Sequence, residues 1–300
     1  MRALILAAVF FVTSAAAASP CGSHGDRSSM VVTTTWLAAH QNDPNLAVLA
    51  VGDKSEYGKG HIPGSVYLDY HDLDYHDMSA QGGLTLELPP MPELAETFGK
   101  LGVTDASRIV LYTIGNGSTQ TARVYLTLDA MGLGARTSIL DGGLPIWQGE
   151  ARSVTTEVRA VKPGGVTPCP QTDVIASLDY VRANLRHAGI DIVDARDPQY
   201  YSGASASRNR AGHIAGATSI PYGSLLDEQG KLKSAEVLQQ QFRAAGVKNG
   251  DQIVAYCHIG QQASLLYFVS RYLGYDVRLF DGSWEEWARH PELPAEAAQK

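Results

Sequence analysis

Hydrophobic residues fall along this chain in two alternating patterns. Short apolar runs, Ala47 to Val51, Val66 to Leu68, Ile109 to Tyr112 and Thr137 to Leu140 in the first half, are too brief for helices and predict buried strands. The second half repeats them as Ile190 to Val193, Ala217 to Ile220, Ile253 to Tyr256 and Val277 to Phe280. Between the runs, apolar positions recur at helical spacing over Met91 to Leu101, over Ser234 to Ala245, and from Ala263 through Leu265, Leu266, Phe268, Val269 and Leu273. Strands alternating with helices predict an α/β fold, a mainly parallel sheet with helices on both faces.

The halves also share landmarks in the same order. Gly60-His61-Ile62-Pro63-Gly64 matches Gly212-His213-Ile214-Ala215-Gly216, Ile109 to Tyr112 matches Ile253 to Tyr256, and Asp141-Gly142 with Trp147 matches Asp281-Gly282 with Trp287. The offsets of 152, 144 and 140 drift only by loop-sized amounts, which indicates a duplicated domain. We expect one domain over 19–150 and a second over 173–300. Residues 151–172, with Lys162-Pro163-Gly164-Gly165 and Pro168-Cys169-Pro170, have the breaker-rich composition of a connection.

Residues 1–18 stand apart. Arg2, the apolar run Ala3 to Val12, and Thr13-Ser14 followed by four alanines read as a secretory signal cleaved after Ala18, so the expected location is periplasmic or secreted. The run is much shorter than the roughly 20 apolar residues a spanning helix needs, and Pro20 disfavours a lipid anchor on Cys21. The net charge of −7 argues against nucleic acid or an anionic membrane as partner. Export would allow disulfides. With three cysteines, either Cys21 pairs with Cys169 and Cys257 stays single, or the first two remain unpaired.

Cys257 opens the loop Cys257-His258-Ile259-Gly260-Gln261-Gln262 between a predicted strand and helix, the place where open α/β sheets bind ligands. A thiol there is expected to be the catalytic nucleophile, its pKa depressed by the helix N-terminus. Successive amides from His258 through Ala263 would cradle a negative sulfur, with Gly260 supplying the torsions. This reading requires the thiol to face those amides and to be open to the crevice. A phosphatase loop of the form C-x5-R is excluded because the closing position is Ala263.

These residues resemble the tandem-domain rhodaneses, or sulfurtransferases. The resemblance rests on the Gly212-His213-Ile214-x-Gly216-Ala217 stretch, on Tyr256-Cys257 with its loop, and on Leu279 to Trp284 with Trp287 and Pro294. It covers the whole chain after the leader. It implies two rhodanese-like domains and a sulfane sulfur passed from thiosulfate to Cys257 as a persulfide, then to cyanide or a thiol, with no cofactor or metal. A protein sulfur acceptor is a further possible partner. Thr113 stands at the cysteine position of the first domain, which is therefore expected to be inactive. Arg196 matches a family arginine near the site, as donor binder or as a structural partner of Asp194 or Asp281. Arg208 and Arg210 are further donor-binding candidates, and His258 is either, when protonated, a helper of the thiolate or a solvent-exposed side chain. Familiar thiosulfate enzymes carry cations where this chain has Tyr200 and Ile259, and the loop departs from the Cys-Gly-x-Gly of mercaptopyruvate enzymes. Thiosulfate is the expected donor; the alternatives are 3-mercaptopyruvate and a non-turnover persulfide carrier. His61 and His213 are expected to fix turns, Trp284 and Trp287 to pack, and residues 69–77, with His71 and His76, to form a solvated acidic loop.

Overall fold

A computed structural model describes residues 26–77 and 83–297, with the backbone alone for 76 and 77. The predicted leader and Cys21 lie outside the described residues. Cys169 is disulfide-bonded and Cys257 is free.

Two five-stranded parallel sheets account for the repeat. The first contains β1 (Val31–Val32), β2 (Leu46–Gly52), β3 (Val66–Leu68), β4 (Arg108–Ile114) and β5 (Thr137–Leu140), in spatial order β1-β5-β4-β2-β3. The second contains β6 (Ile175–Ala176), β7 (Ile190–Asp194), β8 (Thr218–Ser219), β9 (Gln252–Tyr256) and β10 (Val277–Phe280), in order β6-β10-β9-β7-β8. Written by position within each copy, both sheets read first-fifth-fourth-second-third. The central strands β4 and β9 are continuous apolar runs because both faces of each are covered.

The duplicated Gly-His-Ile landmark has the same job in both copies. Tyr112 at the end of β4 receives the Ile62 N–H on its hydroxyl at 3.3 Å, and Tyr256 at the end of β9 receives the Ile214 N–H at 3.0 Å. His61 Nδ1 bonds Tyr57 O at 3.0 Å, and His213 Nδ1 bonds Tyr201 O at 2.7 Å, so both histidines do fix turns. Trp284 and Trp287 are fully buried, as expected of packing residues. Residues 69–77 depart from the solvated loop. Tyr70–Leu73 form a 3-10 turn with Tyr70 and Leu73 buried, and Tyr75–Asp77 pair antiparallel with Leu84–Glu87.

The helices that matter most are α1 (Met91–Lys100), α2 (Ser118–Ala130), α3 (Ala235–Ala244), α4 (Gln261–Leu273) and α5 (Ser283–Ala288). Helices α2 and α4 follow the central strands of their domains and pack on each other. Each is therefore covered on every side, α2 from Thr121 to Ala130 and α4 from Ala263 to Ser270, and neither shows the polar face of a surface helix. Tyr125 and Phe268 meet edge to face at 4.7 Å on this seam, and one apolar cluster runs through both domains. Polar ties cross it as well: Tyr267 donates to Asp129 Oδ2 at 2.6 Å, and Arg123 Nη1 pairs with Asp281 Oδ1 at 2.5 Å, both side chains buried. Residues 153–172 have no regular element beyond the bridge Thr155 makes with His61. They lie along the first domain, where Gly164 N–H bonds Gly99 O and Cys169 N–H bonds Met131 O.

Candidate active site

The loop after β9 turns sharply at Gly260, whose φ of +84° lies in the left-handed region. A Cβ there would come within 3.1 Å of both Arg123 Nη1 and Asp281 Oδ1. Helix α4 starts at the next residue, and the turn wraps the loop around Cys257. The backbone N–H groups of Ala263, Ile259, Gln262 and Gly260 turn toward the sulfur and favour its anion. The Cys257 N–H donates to Ser283 Oγ at 3.2 Å, and that hydroxyl donates to Phe280 O at 2.8 Å. Ser283 occupies the left-handed region at φ 51°, a strained conformation for a residue with a Cβ. The loop is thus locked from below by the start of α5.

The amide cradle agrees with the expectation, but the accessibility of the sulfur does not. Cys257 has no exposed surface. Burial pushes its thiol pKa above the ordinary value, and the four amides only partly offset this. The expected depressed pKa and open thiol are both corrected: helix polarity is local and modest, whereas complete removal from water disfavours the anion more strongly.

The first domain packs against this region, where a strap, Leu84–Leu88, is tied to Asp281 and Glu285. The Leu88 N–H donates to Asp281 Oδ2 at 2.8 Å, and Thr85 donates its N–H to Glu285 Oε2 at 3.0 Å. Arg123 pairs with Asp281 and also donates to Leu86 O at 2.5 Å. Leu86 is buried in the same apolar cluster as Cys257 and is held at φ 62°. Tyr70 adds to this wall; burial raises its pKa far above normal, and its charge would feel those of Arg123 and Cys257. A crevice of about 700 Å³, lined by Tyr67, Tyr70, His71, Asn116 and Gln261, reaches the outer side of the wall.

The predicted cations are mostly engaged elsewhere. Arg196 is fully buried, bonds Asp194 through Nε and Nη2, the closer contact 2.6 Å, and donates to Gly212 O at 2.7 Å. It is the structural partner of Asp194, which corrects its assignment as a free donor-binding group, although Nη1 is buried without a hydrogen-bond partner. Arg210 spends its guanidinium on Trp287 O, His290 O and Leu293 O and clamps the C-terminal segment, so its donor-binding role is also overturned. Arg208 is half exposed and pairs with Glu285 Oε1 at 3.0 Å, so it stands at the rim with its charge already shared. His258 does not assist as a cation. Burial, with Arg196 nearby, brings its pKa down to about 4, its Nδ1 bonds Ser207 Oγ at 2.7 Å, and Tyr200 meets its ring edge to face.

The sequence reading missed Asp281, Ser283, Glu285, Arg123 and Leu86 as site residues. A signal existed for Arg123, a cation amid the apolar stretch Ala122 to Leu126 of α2, where it must find a buried partner. Thr113 sits where Cys257 does in the other copy and bonds Thr121 Oγ1 at 2.8 Å.

Fold and site together define a tandem α/β protein in which one copy carries a single cysteine at the focus of a ring of backbone amides. The rhodanese-like domain model matches residues 33–150 and again 177–290, and the chain belongs to the rhodanese family. It is 30% identical over 268 residues to a thiosulfate sulfurtransferase of Azotobacter vinelandii, covering 89% of this chain and 97% of that one. It is 31% identical over 280 residues to the sulfur carrier protein TtuD of Thermus thermophilus, covering 88% and 95%. Among solved structures it resembles the 3-mercaptopyruvate sulfurtransferase SseA of Escherichia coli, with a TM-score of 0.74, 27% identity, and 85% and 98% of the two chains covered. Sulfurtransferase activity follows from this kinship.

Proposed function

We propose that this protein takes a sulfane sulfur from thiosulfate onto Cys257 and delivers it to cyanide or a thiol. The observation that carries the reading is the convergence of four backbone N–H groups on one sulfur. In the loading step the Cys257 thiolate attacks the outer sulfur of thiosulfate. The S–S bond breaks, and sulfite departs with its electron pair. The resulting persulfide anion is larger than a thiolate and still negative, and the amide ring stabilises it without a cation. In the second step the acceptor attacks the outer sulfur and regenerates the thiolate, so the kinetics are ping-pong. Arg208 at the rim is the cation best placed to meet an incoming dianion. Thiosulfate is favoured over 3-mercaptopyruvate because its compact form asks less of the covered mouth.

A second reading has its own support. The full burial of Cys257 favours a carrier that loads slowly and holds its persulfide for a protein partner, and one relative bears the name sulfur carrier. Export belongs to the same proposal; the N-terminal pattern and a disulfide-bonded Cys169 support it, and retention of Met1 in protein recovered from its native envelope would count against it.

Intact-mass measurement after thiosulfate treatment tests the core of the proposal. The expected result is one sulfur adduct on the parent and none on Cys257→Ser. An adduct that survives in Cys257→Ser overturns the assignment. Thiocyanate formation from thiosulfate and cyanide then separates enzyme from carrier, since a carrier acquires the adduct but turns over negligibly.

A further inference from the structure

The duplication allows each loop to be compared with its counterpart. Helices α2 and α4 are both thirteen residues long and cross at Tyr125 and Phe268, which occupy the same position in each. By that alignment the counterpart of Arg123 is Leu266. The strap has a counterpart too. Leu88 lies three residues before α1 and gives its N–H to Asp281. Leu232 lies three residues before α3 and gives its N–H to Asp141 Oδ1 at 3.2 Å. Two residues back from each stand Leu86 at φ 62° and Gly230 at φ 75°, in the same unusual backbone conformation. Leu86 and Arg123, the side chains that plug the cysteine copy, are thus replaced by Gly230, which has no side chain, and Leu266, which has no charge.

At the mirrored place the structure has a cavity of about 590 Å³, lined by Thr113, Asp141, Ile146, Gly230, Leu265 and Phe268. Asp141 opens onto it. Its counterpart Asp281 holds a guanidinium at 2.5 Å, whereas among the described residues Asp141 has no cation within ion-pair distance, and burial raises its pKa. Of the charged groups around it, Lys231 lowers that pKa and Asp227 raises it; Glu228 also lines the cavity. The copy that kept its cysteine therefore displays, as part of its own chain, what the emptier copy can accept.

We propose that the cavity between the first domain's loop and the Leu226–Leu232 hairpin binds a small organic cation, an amidinium, guanidinium or ammonium on a short apolar body, with Asp141 as its counter-ion. The head takes the place Arg123 has against Asp281, as a carboxylate accepts a planar fork of N–H donors. The body takes the volume that Leu86 fills in the other copy.

Benzamidine is a suitable probe, with benzamide as its neutral equivalent in shape. Calorimetric titration of the full chain should give one site at about 1 mM or tighter, within what nine non-hydrogen atoms can supply. Benzamide should bind at least roughly tenfold more weakly, as should benzamidine to Asp141→Asn, because a charge-assisted pair is lost. Gly230→Leu, which installs the side chain tolerated at Leu86, should abolish binding, while the thermal midpoint verifies that this variant folds. No benzamidine binding, equal binding of benzamide, or binding unaffected by either substitution would overturn the proposal. Sulfur loading of Cys257 should be unchanged in Asp141→Asn, so the site can fail without touching the sulfur-transfer reading.

Discussion

Replacing Leu86 by glycine tests whether the strap controls access to Cys257. Leu86 is buried in the apolar cluster that also holds Cys257, and burying a leucine side chain contributes about 1.5–3 kcal/mol to the closed arrangement. The residue is held at φ 62°, where a side chain costs about 1–2 kcal/mol and glycine costs nothing. The two terms oppose each other. The closed strap should lose a net of up to about 2 kcal/mol, while the fold as a whole, tied by Arg123 to Asp281 and by Tyr267 to Asp129, stays intact. A buried thiol reacts only through its open fraction, so a loss of that size raises the labelling rate up to roughly 30-fold, since each 1.4 kcal/mol is a factor of ten. Iodoacetamide labelling of native protein, followed by intact mass at fixed pH, measures this. Labelling of Leu86→Gly at the parent rate, with the denaturation midpoint preserved, would refute the role of the strap. Acceleration that merely follows a fall in global stability would refute it equally.

Two further predictions concern charge. Because burial raises the Cys257 pKa and the thiolate is the attacking form, loading by thiosulfate should climb about tenfold per pH unit through neutrality toward the alkaline range, without an inflection near 6.5, since His258 is already neutral there. A rate that falls as pH rises from 6 to 8, or a histidine inflection removed by His258→Asn, contradicts this. Arg196→Ala should leave the buried Asp194 carboxylate without its cation and cost about 3–5 kcal/mol, visible as a lower denaturant midpoint. An unchanged midpoint with lost thiosulfate uptake would restore Arg196 to donor binding.

Legibility in the sequence depended on how local the cause was. Strands β2, β4, β7 and β9 announce themselves as apolar runs because each is buried on both faces, and the cysteine loop is marked by Gly260 between such a run and a helical period. The edge strands Val31–Val32 and Ile175–Ala176 were missed because two residues carry no period. The roles of Arg196, Arg208 and Arg210 were illegible for another reason. Their sequence neighbours say nothing of Gly212 O, Glu285 or Leu293 O, which decide where those guanidinium groups point. The charge of His258 was hidden likewise, since it depends on Tyr200 and Arg196 around it. Burial of Cys257 was least accessible of all, because the strap that shares its apolar cluster lies some 170 residues earlier and is anchored by Leu88 and Thr85 to the other domain.

That long-range packing gives the first domain a structural part in the burial of Cys257. Thiol oxidation follows exposure and thiolate character, and burial suppresses both at Cys257. An open, low-pKa cysteine would accept sulfur faster and would also be the first group lost to oxidant. A closed one trades rate for survival and keeps water from a persulfide once it forms. The asymmetry between the copies fits this logic: the half with Cys257 has Leu86 and Arg123 packed near its loop, whereas the half with Thr113 has Gly230 and a cavity of about 590 Å³.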